Sequence, residues 1–279
     1  MAEIRDRVNK KAFINFLENL GIEVHFDTKA RGNSGFCTGK RIDISKNLPE
    51  EQVIDVLLHE FAHYVHFKLE PDIVKTDGTL EKLFDTNDVR TIENELFQIT
   101  QIVFDSIQLR KIEKLKSSIS DKIAEQREEI KKYYPDFQAG KTFKEFEKFI
   151  KHSNAKYLLK YDCVIIRGGW FSHNVTISIK SLDDDFPSMP KAFSAYIKMK
   201  SYERKRNRLT ARKSKFVRYL KKPTELFARF FQFCCSDIEA AENLAPTAFK
   251  RFQQLKNDGY YPYLNDFENE CLVSDGTNA

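Results

Sequence analysis

The sequence predicts an α+β fold that is mostly helical, with a small sheet packed on one central helix and a large helical insertion in its middle. Three observations lead there. Short alternating apolar runs, Ile22-Val24-Phe26 and Ile42-Ile44, lie close together near the start of the chain, as strands of one small sheet would. Most of the chain after Pro49 repeats apolar residues at helical spacing. The helical stretch that follows the second run carries His59-Glu60-Phe61-Ala62-His63.

The first helix is expected from Ile4 to Leu20, where Ile4, Val8, Ala12, Phe13, Phe16, Leu17 and Leu20 share a face and Gly21 supplies a left-handed stop. Strands follow around Ile22 to Phe26 and over Arg41 to Ser45, separated by the turn-rich stretch Lys29 to Gly35. Pro49 opens the next helix, Glu50 and Glu51 suit its positive end, and Pro71 closes it beyond Leu69. After a turn at Asp77-Gly78, a helical pattern runs from Val89 to Tyr134 with a predicted break at Ser117-Ser118. Its charged part, Lys122 to Lys132, is expected to project into solvent. A short helix, Thr142 to Lys151, precedes two strands, Tyr161 to Arg167 and Val175 to Ile179, joined through Gly168-Gly169. Three helices complete the pattern: Ala192 to Leu220, Thr224 to about Ser236, and Pro246 to Asn257 ending at Gly259. No internal repeat or low-complexity linker is present, so the expectation is a single domain over 1–279 with an insertion over 78–187 and a helical part over 188–270.

Composition narrows the function classes. The 279 residues hold 46 Lys and Arg against 41 Asp and Glu, a net charge of only +5. The segment Lys198 to Lys222 contains twelve of those bases and one acid, Glu203, leaving 34 bases against 40 acids elsewhere. A uniformly basic coat for nucleic acid is excluded, and a local basic patch is not. There is no run of 18 apolar residues and no signal-peptide core in Met1 to Lys11, so a soluble cytoplasmic protein without a membrane partner is expected. The five cysteines, Cys37, Cys163, Cys234, Cys235 and Cys271, are odd in number and contain no Cys-x-x-Cys pair, which argues against a disulfide framework or a cysteine zinc knuckle.

The His-Glu-x-x-His pattern carries the chemistry. Residues four apart on a helix share a face, so His59 and His63 can bind one zinc ion while Glu60 meets a water on it. His66 lies on the same face, but seven residues of helix rise about 10 Å, too far for His59 and His66 to share a metal. A third ligand must come from another element. Glu93 and Glu95 on the next helix are nearby in sequence, and Glu225 lies far downstream in Pro223-Thr224-Glu225-Leu226-Phe227-Ala228-Arg229.

Here the sequence resembles the metallopeptidase-like domain associated with large polyvalent proteins of phages and mobile elements. That family pairs a His-Glu-x-x-His helix with a later Tyr-x-x-x-Pro-x-Glu-Leu-Phe-Ala-Arg helix, and Tyr219, Pro223, Glu225, Leu226, Phe227, Ala228 and Arg229 stand at matching positions. The strand Arg41 to Ser45 leading into the zinc helix is also similar to ImmA/IrrE-like cytosolic peptidases, which share the zincin plan. The resemblance implies a zincin-like fold, a gluzincin-type site of His59, His63 and Glu225, and a supporting role for Arg229. It covers about a third of the chain and does not reach Gly78 to Pro187.

Such a site predicts a zinc metallopeptidase that hydrolyses peptide bonds in a protein substrate, with Glu60 as general base. His173, Tyr260, Tyr261 and Tyr263 are the candidates for a further donor to the carbonyl oxygen, against the alternative that the tyrosines pack on the phenylalanine-rich helix and His173 is an ordinary strand or turn residue. The substrate strand is expected along a sheet edge at Arg41 to Ser45. Cys37, just before it, could block a zinc ion as thiolate or sit idle. The basic segment 198–222, which interleaves Tyr202, Phe216 and Tyr219 with its charges, fits either a solvated helix face or a nucleic-acid contact. The alternative function is therefore a DNA-associated peptidase, or a non-catalytic zinc- or nucleic-acid-binding module.

Overall fold

The computed structural model describes residues 8–28, 34–103, 107–138, 140–167 and 174–272. The chain divides into two compact units, Met1–Asp105 with Phe216–Ala279, and Ser106–Lys215. The second unit starts and ends later than the insertion expected over 78–187. Burial explains the shift: Leu80, Leu83, Phe84, Ile92, Leu96 and Ile99 belong to the core of the first unit, and Ala192, Phe193, Tyr196 and Ile197 to the core of the second.

In the first unit, helix α1 (Lys10–Asn19) starts at Asn9, whose side chain accepts a hydrogen bond from the Ala12 N–H, and stops at Gly21 with φ 74°. Ile4 lies outside the described residues. Strands β1 (Glu23–Thr28), β2 (Gly35–Cys37) and β3 (Arg41–Ser45) form a sheet in the order β1-β3-β2. β3 runs parallel to β1 and antiparallel to β2, with Val24 opposite Ile42 and Phe36 opposite Asp43. A single 3-10 turn, Glu50–Gln52, leads into α2 (Val53–Leu69), which is apolar on most sides and correspondingly buried.

Two short helices, α3 (Ile73–Thr76) and α4 (Leu80–Phe84), precede α5 (Val89–Val103). The core then packs Phe13, Phe61 and Phe267 edge to face or tilted, at centroid separations of 4.8–5.7 Å. Backbone pairing of Val8 with Leu272 brings the two ends of the described chain together.

The second unit holds α6 (Ile107–Lys131), α7 (Lys144–His152), a 3-10 helix over Asn154–Leu159, the antiparallel pair β4 (Cys163–Ile166) and β5 (Val175–Ser178), and α8 (Leu182–Asp185). Ser117-Ser118 does not break α6, which runs through it unchanged. Nor does Lys122 to Lys132 simply project into solvent, because Ile123 and Ile130, seven residues apart on one face, are buried. Gly168-Gly169 lies outside the described residues. Helix α9 (Lys191–Leu220) contributes Phe193 and Tyr196 to an aromatic cluster with Phe143 and Phe146.

The first unit resumes with α10 (Pro223–Ser236), α11 (Ile238–Leu244), α12 (Pro246–Asn257) and α13 (Pro262–Cys271). Among the described residues no helix is long and apolar enough to cross a membrane.

His66 is part of the fold rather than of a metal site. Its buried ring meets Glu70 at 3.2 Å, and Glu70, buried too, also accepts the Thr79 N–H at 2.8 Å. Burial pulls the His66 pKa down to about 4, against the attraction of Glu70, so the ring stays neutral. The turn that covers it needs Gly78: φ is +76°, and a Cβ there would sit 2.5 Å from His66 Nε2. Gly78→Ala is expected to destabilise the protein by about 2 kcal/mol or more, since strain and overlap add. Chemical denaturation checks this; an unchanged midpoint would contradict the close approach.

Candidate metal centre

His59 and His63, four apart on α2, present their rings from one helix face at an interplanar angle of 87°, with Nε2 atoms 3.1 Å apart. The third group comes from α10. Pro223 fixes the first helical position, which puts Glu225 in the first turn with its carboxylate at the positive end of the helix. α10 packs on α2 and α5, with Phe231 against Phe61 and Phe227 against His66. This packing sets Glu225 Oε2 3.5 Å from His59 Nε2 and Oε1 3.6 Å from His63 Nε2. Among the described residues, these three form the one His, Cys, Asp or Glu group spaced for a metal, with all ligand atoms within 4.8 Å.

The donor set fits zinc. Tetrahedral bonds of about 2.0–2.2 Å require ligand atoms about 3.3–3.6 Å apart. The two nitrogens stand 3.1 Å apart, just inside that value, and each imidazole faces its own Glu225 oxygen, Oε2 at 3.5 Å from His59 and Oε1 at 3.6 Å from His63, with one ligand atom from each residue within 4.8 Å of the others. Two nitrogens and one carboxylate oxygen are also the donors zinc takes in sites that keep a position open. Burial pulls His59 down to about 4, leaving its nitrogen lone pair available. Burial acts the same way on His63, but the hydrogen bond and charge of Glu225 outweigh it and raise its pKa. Burial opposes the ionised Glu225 as well, yet the two imidazoles hold it well below the usual carboxylate range. Arg229, one turn along α10 and buried, donates to Glu225 Oε2 at 3.3 Å. His59 Nδ1 is buried with no hydrogen-bond partner among the described residues, so its ring is oriented by packing.

The nearer glutamates are occupied elsewhere. Glu95 accepts the backbone N–H groups of Thr247 and Ala248, the latter at 2.8 Å, and so caps α12; Glu93 is half-buried and lies 3.9 Å from Lys221. The candidate tyrosine donors are also engaged away from the cluster. Tyr261 is fully buried, donates its hydroxyl to the Leu83 carbonyl and stacks on Phe227, which removes it as a supporting residue of the site. Tyr260 donates to the Lys82 carbonyl, and Tyr263 packs on Tyr64. His173 lies outside the described residues. Burial pushes the Cys37 thiol up to about 11, the opposite of what a blocking thiolate needs.

Glu60 sits between α2 and the sheet. Its carboxylate is buried and accepts a hydrogen bond from the Cys37 backbone, and burial, only partly offset by His63, pushes its pKa up to about 7. β2 can lie this close because of Gly35, where a Cβ would meet Val56 Cγ1 at 2.6 Å and approach Glu60 Oε1 at 3.3 Å. The edge expected at Arg41 to Ser45 is corrected accordingly: β3 is the central strand, and the outer strand beside Glu60 is β2. A three-residue strand opening on Gly35 has too short an alternation to stand out from the preceding turn.

One residue near the cluster had no assigned role in the sequence reading. The Tyr219 hydroxyl lies against the Glu225 carboxylate, and burial together with that charge raises its pKa, so it remains a protonated donor while its ring stays 43% exposed. Its signal was its place in the Tyr-x-x-x-Pro-x-Glu pattern, six residues before Glu225. No protein-family model, curated protein or solved structure matches the chain.

Metal analysis of the purified variants tests the ligand set. His59→Ala and Glu225→Ala are expected to lose stoichiometric zinc, and Glu93→Ala and Glu95→Ala to keep it. Arg229→Ala should weaken zinc affinity about 10–100-fold, as loss of a partner that orients a ligand does. Full zinc retention by Glu225→Ala would remove it from the site.

Proposed function

We propose that the protein is a zinc-dependent metallopeptidase with a zincin-like site, acting on peptide bonds of a protein substrate. The observation that carries this reading is the spacing of His59 Nε2, His63 Nε2 and Glu225, with the buried Glu60 carboxylate one residue along the same helix. The resemblance of Tyr219 to Arg229 to the phage and mobile-element metallopeptidase-like domain supports the same assignment.

Zinc bound by the three residues supplies a Lewis acid for the substrate carbonyl and an acidified water. Glu60 would take a proton from the attacking water and deliver it to the departing amine nitrogen, a double duty that suits a carboxylate raised to about 7. Arg229 keeps Glu225 ionised and oriented. Tyr219, protonated and hydrogen-bonded to Glu225, would turn its one O–H from that carboxylate to the carbonyl oxygen as charge develops there, in place of Tyr261. A purely structural zinc site has no use for a general base, so Glu60 weighs against the non-catalytic alternative.

With unfolded casein as probe, Glu60→Gln should retain zinc and lose cleavage by about 100-fold or more. Tyr219→Phe should retain zinc and lower kcat by about 10–100-fold with little change in KM. Equal cleavage by wild type and Glu60→Gln would end the peptidase reading.

A further inference from the structure

We propose that one face of α9 is a binding surface for the phosphate backbone of duplex nucleic acid, independent of the metal centre. Lys205, Arg208, Arg212 and Lys215 follow at spacings of three and four, which aligns them on one side of the helix over about 15 Å. Arg208, Arg212 and Lys215 are exposed.

Four other bases of the same helix, Lys198, Lys200, Arg204 and Lys213, are already matched. Lys198 pairs with Asp183 at 2.5 Å, Lys200 with Glu203 at 2.9 Å and Lys213 with Glu113 at 2.5 Å. Asp162 is held mainly by Arg204, at 2.8 Å, and by Ser201, and it lies 3.8 and 3.9 Å from Lys205 and Arg208. Among the described residues no acid lies within ion-pair distance of Arg212 or Lys215, and the helix carries no acid after Glu203. The row is therefore a net surplus of positive charge on a rigid rod.

The residues around it select the partner. Asn207, Thr210, Ala211 and Ser214, exposed beside the cations, are small, so a polyanion can approach closely. They offer no bulky apolar group to enter a lipid interface, which argues against a membrane surface. The aromatic residues of the segment lie off this row: Tyr202 is part-buried between Lys122 and Lys205, Phe216 is half-buried, and the Tyr219 hydroxyl is engaged with Glu225. What remains is a phosphate contact that is blind to sequence and sensitive to salt.

The test is fluorescence anisotropy of the full-length protein with a labelled mixed-sequence DNA duplex of about 20 base pairs, between about 50 and 200 mM salt. Four phosphate contacts predict a log–log slope near about −3.6, an affinity loss of about 150-fold across that range. Arg212→Gln with Lys215→Gln should reduce the slope by about 2, whereas Lys198→Gln and His59→Ala should leave it unchanged. A slope in the double variant equal to that of wild type, an affinity that does not fall with salt, or binding to phosphatidylserine vesicles without binding to the duplex would each overturn the proposal.

Discussion

The first unit is organised around an ionised carboxylate held out of water. Glu225 is 5% exposed, and moving such a charge into a protein costs several kcal/mol unless partners replace its hydration. Here the replacement is specific: two imidazole nitrogens on α2, the Arg229 guanidinium one turn along, and the positive end of α10 itself. None of these tolerates much displacement, because each acts over a single contact length. The aromatic side chains between α2 and α10 therefore do more than fill space: Phe61 with Phe231 and His66 with Phe227 set the height and rotation at which Glu225 meets the histidines.

The same constraint extends to the sheet. β3 is central because both of its neighbours need it. β1 pairs with it in parallel, and β2, too short to stand alone, completes the sheet on the other side. Asp43 on β3 is buried at 1% exposure and held by Arg41, so the strand carries its own compensated charge. β2 then brings a backbone N–H to Glu60, which anchors its buried carboxylate. A strand with any residue larger than glycine at position 35 would have to move away from α2 and give up that contact.

Much of this was legible in the sequence, and the failures share a cause. Elements announced by their own periodicity, β1, β3, α2, α9, α10 and α12, lie close to where the pattern puts them, because burial of one face dictates both pattern and structure, whereas α1, expected from Ile4, starts only at Lys10 because Val8 pairs with Leu272 and Asn9 caps the helix. β2, α11 and α13 were missed because three to ten residues without a clean period carry little local signal. Ser117-Ser118 was read as a break from residue type alone, yet Ile112, Ile119 and Ile123 keep the helix packed through it. The histidine pair needed only helical spacing to be read. Of the two roles open to Tyr261, packing on the phenylalanine-rich helix is the one the structure shows, because its hydroxyl is taken by the carbonyl of Leu83, a partner that no local pattern announces.

Sequence distance was the least informative quantity. Glu93 and Glu95 lie some thirty residues from His63, whereas Glu225 lies beyond an entire compact unit. Loop-closure entropy grows only with the logarithm of length, about 0.6 kcal/mol per doubling, so the longer excursion adds little to the free energy of assembling the site. Local demand decides instead. The amino terminus of α12 needs an acceptor and takes Glu95; Glu93 stays at the surface near Lys221. α10, started by Pro223 and wedged by its phenylalanines, has a first-turn carboxylate with two imidazoles directly across from it. The chain can carry a folded unit of about 110 residues between His63 and Glu225 because the α2–α10 contact, not the length of chain between its partners, sets the geometry of their cluster.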